Sequence, residues 1–110
     1  MNSSPYIYPG LDTKTIPSDL DIILSMVCRV SGVSKGEILS ESRKREVVEA
    51  RQIYCYYARK KTEHSSAKIG NLIGQDHATV LHSIKKVNNM LCINDVAIKS
   101  LVNKVNKLFY

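Results

Sequence analysis

The sequence predicts an all-α fold: one compact bundle of about six helices that contains a helix-turn-helix. Three observations carry that prediction. Apolar residues recur at helical spacing along almost the whole chain after residue 18. No stretch of any length alternates apolar and polar residues as a half-buried strand does. All three prolines, Pro5, Pro9 and Pro17, fall in the first 17 residues, and none interrupts the helical patterns beyond them.

Residues 1–17 combine those prolines with Ser3, Ser4 and Gly10, the composition of a flexible N-terminal arm. Residues 18–110 form the helical domain. Its first helix begins at Ser18, a capping residue, with Asp21 well placed against the helix dipole. Leu20, Ile23, Leu24, Val27 and Val30 mark its apolar face, and Gly32 ends it. Ser34 with Glu37 three residues on has the pattern of a capping box and starts a short second helix. A long third helix runs from about Arg45 to Thr62, with Val47, Ala50, Tyr54, Tyr57 and Ala58 on one face. A short fourth helix covers Ser66 to Ile73, and Gly74 closes it in the left-handed conformation that glycine adopts cheaply. Asp76 caps a fifth helix carrying Val80, Ile84, Val87 and Leu91. The last helix, from Asn94 or Asp95, carries Ile98, Leu101, Val102, Val105 and Leu108.

Composition narrows the function. The chain has 110 residues, 44% of them hydrophobic, no Trp and one Phe, so its core is aliphatic with some Tyr. No apolar run approaches the ~20 residues that span a bilayer, so no membrane partner is expected. The start, MNSSPYIYPG, lacks the basic and apolar regions of a secretory signal, which leaves the cytoplasm as the expected compartment. Cys28, Cys55 and Cys92 lie far apart without metal-ligand spacing; each is expected to be a small buried hydrophobe, with no metal and no cofactor. Asp76, His77 and Cys55 are the candidate reactive groups, and no nucleophile–base spacing connects them, so no enzyme is expected. The net charge of +6 is uneven. Residues 1–42 hold three Lys/Arg against five Asp/Glu, whereas residues 43–110 hold thirteen against five. A basic excess confined to the folded part suits a polyanionic partner.

Two clusters refine that partner. In GQDHATVLHS, residues 74–83, a short helix, a glycine turn and a second amphipathic helix come in the order of a helix-turn-helix. The first residues of the second helix in that motif meet base edges in the major groove. Here they are Asp76, His77, Ala78 and Thr79. An Asp accepts from the cytosine amino group, a His donates to a base or phosphate, and an Ala methyl touches a thymine methyl. A Thr hydroxyl near a helix start reaches a phosphate, as Lys85 and Lys86 can further along. In SRKREVVEARQ, residues 42–52, Arg43, Lys44 and Arg45 crowd a helix N-terminus, where the dipole favours anions. A bound phosphate relieves that conflict, and Arg51 and Gln52 lie about two turns further on.

SRKREVVEARQ followed by IGNLIGQDHATVLHSIKKV resembles the C-terminal DNA-binding domain of the bacterial replication initiator DnaA, from about Asp19 to the end of the chain. The resemblance implies a compact helical module that binds a short asymmetric duplex site, the initiator box, as a monomer on each site. It implies that Arg43 enters the minor groove while Asp76, His77 and their neighbours read the major groove. It further implies phosphate contacts at Arg45, Arg51, Gln52, Thr79 and Lys86. A bacterial, nucleoid-associated setting is implied by the same resemblance. The sequence departs from the family at three places. Ala78 replaces the first of two Thr; the turn reads Gly74-Gln75 where the family has Gly-Gly-Arg; and Ser66-Ala67 replaces a Leu-Pro that packs on DNA. These departures put Ser66, Gln75 and Ala78 where a different box sequence would be read. The initiator's ATPase module should precede such a domain, yet the chain has no G-x-x-x-x-G-K-[ST] motif, so no nucleotide is expected to bind. Two alternatives remain: a standalone transcriptional or mobile-element regulator with a diverged site, and a helical protein-interaction adaptor using the arm and an outward Tyr56.

Overall fold

The computed structural model describes residues 19–109. The arm expected over residues 1–17 and the Ser18 cap lie outside them. Six helices run in order: α1 (Asp19–Ser31), α2 (Lys35–Leu39), α3 (Arg45–Lys61), α4 (Ser66–Asn71), α5 (His77–Cys92) and α6 (Val96–Phe109). No strand occurs among the described residues, and the fold is all-α as its periodicities require.

The helix ends sit where the local chemistry puts them. Gly32, at φ +75°, closes α1, and its N–H donates to the Cys28 carbonyl at 3.0 Å. Ser34 and Glu37 form the capping box reciprocally: the Glu37 N–H donates to Ser34 Oγ (3.1 Å), and the Ser34 N–H donates to Glu37 Oε1 (3.2 Å). Such a box satisfies two helix-end donors at once. Asn94 takes the left-handed conformation (φ 57°) after α5, a role usually given to glycine. Asp95 then caps α6, its Oδ1 accepting from the Ile98 N–H at 3.0 Å.

α3 is the central element. Val47, Ala50, Ile53, Tyr54, Tyr57 and Ala58 are at most 1% exposed, and α1, α4, α5 and α6 pack around them. Leu24 and Val27 of α1, Val80 and Val87 of α5 and Ile98 and Val105 of α6 complete the core. Two buried tyrosines place their polar ends where partners wait, as burial of a hydroxyl demands. The Tyr57 hydroxyl lies between the Val102 carbonyl (2.9 Å) and Asn106 Oδ1 (2.6 Å), which fixes α6. The Tyr54 hydroxyl donates to the Ile69 carbonyl at 2.9 Å, which fixes α4. At the surface, His64 Nε2 meets Asp19 Oδ1 at 2.9 Å, joining the start of α1 to the α3–α4 connection. That bond holds the Asp19 carboxyl below its usual range.

One expectation fails. Cys55 is buried and Cys28 half-buried, but Cys92 is exposed. The inward row of α5 runs Val80, Ile84, Val87, Leu91, and the residue after Leu91 turns about 100° away from it.

Two glycines hold the α4–α5 turn for different reasons. Gly74 has φ +72° with open space around it, so only the backbone conformation demands glycine. Gly70 has an ordinary conformation but no room: an added Cβ would overlap the Gln75 carbonyl and lie 2.8 Å from Val80 Cγ2. Gly70→Ala is expected to destabilise by about 2 kcal/mol or more, because backbone must move. Gly74→Ala is expected to cost about 1–2 kcal/mol, the left-handed penalty alone. Urea unfolding followed by circular dichroism checks both, and a Gly70→Ala variant as stable as the parent would contradict the close packing.

Candidate nucleic-acid interface

Helix α4, which leads into the turn before α5, is tied at both ends. Ser65 caps α4, its Oγ accepting from the Lys68 N–H at 3.2 Å. At the other end the Gly70 carbonyl accepts two bonds, from the Ile73 N–H (3.0 Å) and the Gln75 N–H (2.9 Å). The chain then enters α5 through Asp76, whose extended backbone (φ −83°, ψ 173°) is that of an N-cap. Asp76 Oδ1 accepts from the Thr79 N–H at 2.8 Å. That bond, more than any other influence, holds the Asp76 carboxyl below its usual range. The Thr79 hydroxyl lowers it further, and the carboxylate keeps its charge. Directly after it, His77, Ala78 and Thr79 are all exposed, while Val80 is buried and anchors the helix from beneath. The tip of α5 therefore offers side chains outward, with the positive end of the helix dipole behind them.

Gln75 is half-buried, and its Oε1 accepts from the Cys55 thiol at 3.9 Å. Burial pushes the Cys55 thiol up to about 12, so it stays protonated and unreactive. Part of Gln75 thus supports the turn from inside. Ser66 also faces inward: it is 9% exposed, and its Oγ meets Arg59 Nη1 at 2.7 Å. Gln52 is 8% exposed. The side chains of Gln52 and Ser66 present little surface, because both fall on the arcs of their helices that face neighbouring elements.

The basic cluster lies at the start of α3. Lys44 occupies the N-cap position and makes no side-chain capping bond. Arg43, Lys44 and Arg45 line the entry to this helix, and all three are exposed. Arg45 pairs with Glu49 at 3.3 Å, but its side chain is 81% exposed, and a pair so open contributes little and leaves the guanidinium able to swing away. Arg51, two turns on, is different. Its guanidinium makes four hydrogen bonds to carbonyl oxygens of residues 37–42.

Lys85 and Lys86 are exposed on α5 and, with His82, Asn89, Met90 and Ile93, line a surface depression of about 410 Å³. His82 falls on the same outward side of α5 as Ala78, one turn further along, a neighbourhood that its spacing from His77 alone does not suggest. Tyr56 is half-buried: it packs edge-on against Tyr57 (5.2 Å between centroids), and Lys60 Nζ lies 5.5 Å from its ring. Among the described residues, no group of three or more His, Cys, Asp or Glu side chains gathers as metal ligands do. No described helix is long and apolar enough to cross a membrane.

Gly70 was not predictable from turn chemistry. Its one signal is a glycine inside a helical pattern, in IGNLIG, a placement that costs ~1 kcal/mol against alanine and has several causes.

Comparison with known proteins gives a consistent family. Residues 20–87, from the first turn of α1 to most of the way along α5, match the family described as bacterial dnaA protein helix-turn-helix. The chain is 42% identical over 98 residues to the chromosomal replication initiator protein DnaA of Bacteroides thetaiotaomicron, covering 88% of this chain and 20% of the relative. It is 39% identical over 107 residues to that of Borrelia hermsii, covering 92% of this chain and 22% of the relative. For Pseudothermotoga lettingae the figures are 36% over 92 residues, 84% and 20%. The chain thus spans about a fifth of the length of these curated relatives. With most of its helical core matched, this chain belongs to the bacterial DnaA helix-turn-helix family.

Proposed function

We propose that this chain is a sequence-specific binder of double-stranded DNA, working in the manner of initiator-box recognition, as a monomer on each site and without a nucleotide. One observation carries the proposal: the Asp76-capped tip of α5, where three consecutive exposed residues stand on a turn fixed by backbone packing.

In this arrangement the start of α5 enters the major groove, which at ~12 Å wide admits a helix. One oxygen of Asp76 holds the Thr79 N–H, and the other accepts from a cytosine amino group. His77 donates to a base acceptor, and the Ala78 methyl meets a thymine methyl. The Thr79 hydroxyl, Lys44, Arg45, Lys85 and Lys86 hold phosphates and set the register. Arg43 enters the minor groove, where its charge favours a narrow, electronegative stretch. Ala78 and Gln75, where the family carries Thr and Arg, give this chain its own site sequence. The proposal contains no catalytic step; the Cys55 thiol is buried and protonated. In the cell the site belongs to a replication origin or a regulatory region.

Selection from a random duplex library, followed by titration of the enriched and a scrambled duplex, tests the proposal. The enriched duplex is expected to bind at least about a hundredfold more tightly at moderate salt. Log affinity is expected to fall with log salt at ~0.9 per neutralised phosphate, and a flat dependence would contradict phosphate-led binding.

Two substitutions separate the grooves. Arg43→Ala is expected to lower affinity for the enriched duplex roughly tenfold or more. Asp76→Asn keeps a good capping group, so the melting temperature should stay nearly constant while discrimination relaxes at one base pair. If Asp76→Asn keeps full discrimination, Asp76 only caps.

A further inference from the structure

Arg51 stands where the family resemblance expects a phosphate contact, but its guanidinium is turned into the protein. Nε donates to the Ile38 carbonyl (2.9 Å) and Nη1 to the Ser42 carbonyl (2.7 Å). Nη2 donates to the Ser40 carbonyl (2.6 Å) and the Glu37 carbonyl (3.2 Å). A guanidinium has five N–H donors in a rigid fork, so four bonds of this kind leave little for a phosphate. Three of the four carbonyls belong to the end of α2, where helix carbonyls lack intrahelical partners and the dipole is negative. The fourth, Ser42, immediately precedes Arg43.

The same segment is also tied by its own serines. Ser40 Oγ donates to the Glu37 carbonyl at 2.6 Å, and the Ser42 N–H donates to Ser40 Oγ at 3.2 Å. The Lys44 N–H donates to Ser42 Oγ at 3.3 Å. The connection from α2 to α3 is therefore held both by the Arg51 fork and by two serine hydroxyls.

We infer that Arg51 is a positioning residue for Arg43: it fixes the α2–α3 connection so that Arg43 leaves it at one place relative to the tip of α5. This inference rests on the DNA-binding proposal above. A connection ordered before DNA arrives loses no further conformational freedom on binding, which raises affinity only for the duplex whose minor groove matches. A lysine cannot replace the fork, because its three donors radiate from one point and cannot reach four carbonyls.

The full chain, the enriched duplex and the scrambled duplex test the inference. Arg51→Lys keeps the positive charge, so a phosphate contact would survive while the fork would not. Affinity for the enriched duplex is expected to fall roughly tenfold, with affinity for the scrambled duplex and the salt slope unchanged. In an Arg43→Ala background the further effect of Arg51→Lys is expected to shrink to within about twofold, as for residues that act through one another. Wild-type behaviour of Arg51→Lys would overturn the inference. So would a full tenfold effect in the Arg43→Ala background, or an Arg51→Met variant that weakens both duplexes alike and lowers the salt slope by about one. If circular dichroism shows that the Arg51 variants do not fold, Ser40→Ala loosens the same connection without touching α3. A drop of about threefold, confined to the enriched duplex and absent beside Arg43→Ala, supports the inference; no drop, or a drop on both duplexes, overturns it. If the wild-type chain itself does not distinguish the duplexes, the DNA-binding proposal has failed, which the same titration identifies separately.

Discussion

The contact on which the proposed recognition surface depends is the approach of the α4–α5 turn to Gly70. At that point one backbone passes so close to another that a single Cβ would meet the Gln75 carbonyl and the Val80 side chain. The Gly70 carbonyl accepts two turn N–H groups, and the neighbouring Ile69 carbonyl accepts from buried Tyr54. The start of α5 is thereby referenced through α4 to the middle of α3. Asp76 completes the chain of constraint by holding the first turn of α5 closed. On the proposed reading, a helix tip fixed in this way meets DNA without first being ordered, so contact energy is not offset by the cost of fixing the turn.

α3 links the two ends of the candidate surface. At 17 residues it is about 25 Å long, with the basic cluster at its start and the tyrosines that support α4 and α6 in its second half. Its inward face is packed nearly without exposure, and such a core resists small displacements. The separation between the start of α3 and the α5 tip is consequently a property of the hydrophobic core, while the bonds from Arg51 set the connection that carries Arg43. On the proposed DNA-binding reading, substitutions in that core alter discrimination without touching DNA. The exposed cations at the start of α3 add a second layer: no side chain caps that helix end, and an anion can complete it.

Much of the fold was legible in local sequence chemistry. Ser34 with Glu37, Gly74 and Asp76 announce helix ends through interactions within four residues, and the apolar rows on α1, α3 and α6 arise from helical period alone. Features that depend on distant partners were not legible. Arg51 satisfies carbonyl groups up to 14 positions away, and a carbonyl leaves no trace in a sequence. Gln52 and Ser66 look like surface polar residues until their neighbours bury them. Gly70 carries a weak signal, since a glycine inside a helix pattern has several causes. The outward turn of Cys92 lies between these cases, because the drift of the helical period would reveal it once the helix was known to reach that far.

Amide chemical shifts of the isotopically labelled chain, recorded while the enriched duplex is added, test the central claim most directly. A two-groove surface puts the largest changes in two separated runs, Gln75 to Thr79 and Ser42 to Arg45. The exposed face of α6, including Lys99, Lys104 and Lys107, stays nearly still. Changes centred on α6 or α1, or spread evenly over all basic residues, would contradict a two-groove reading.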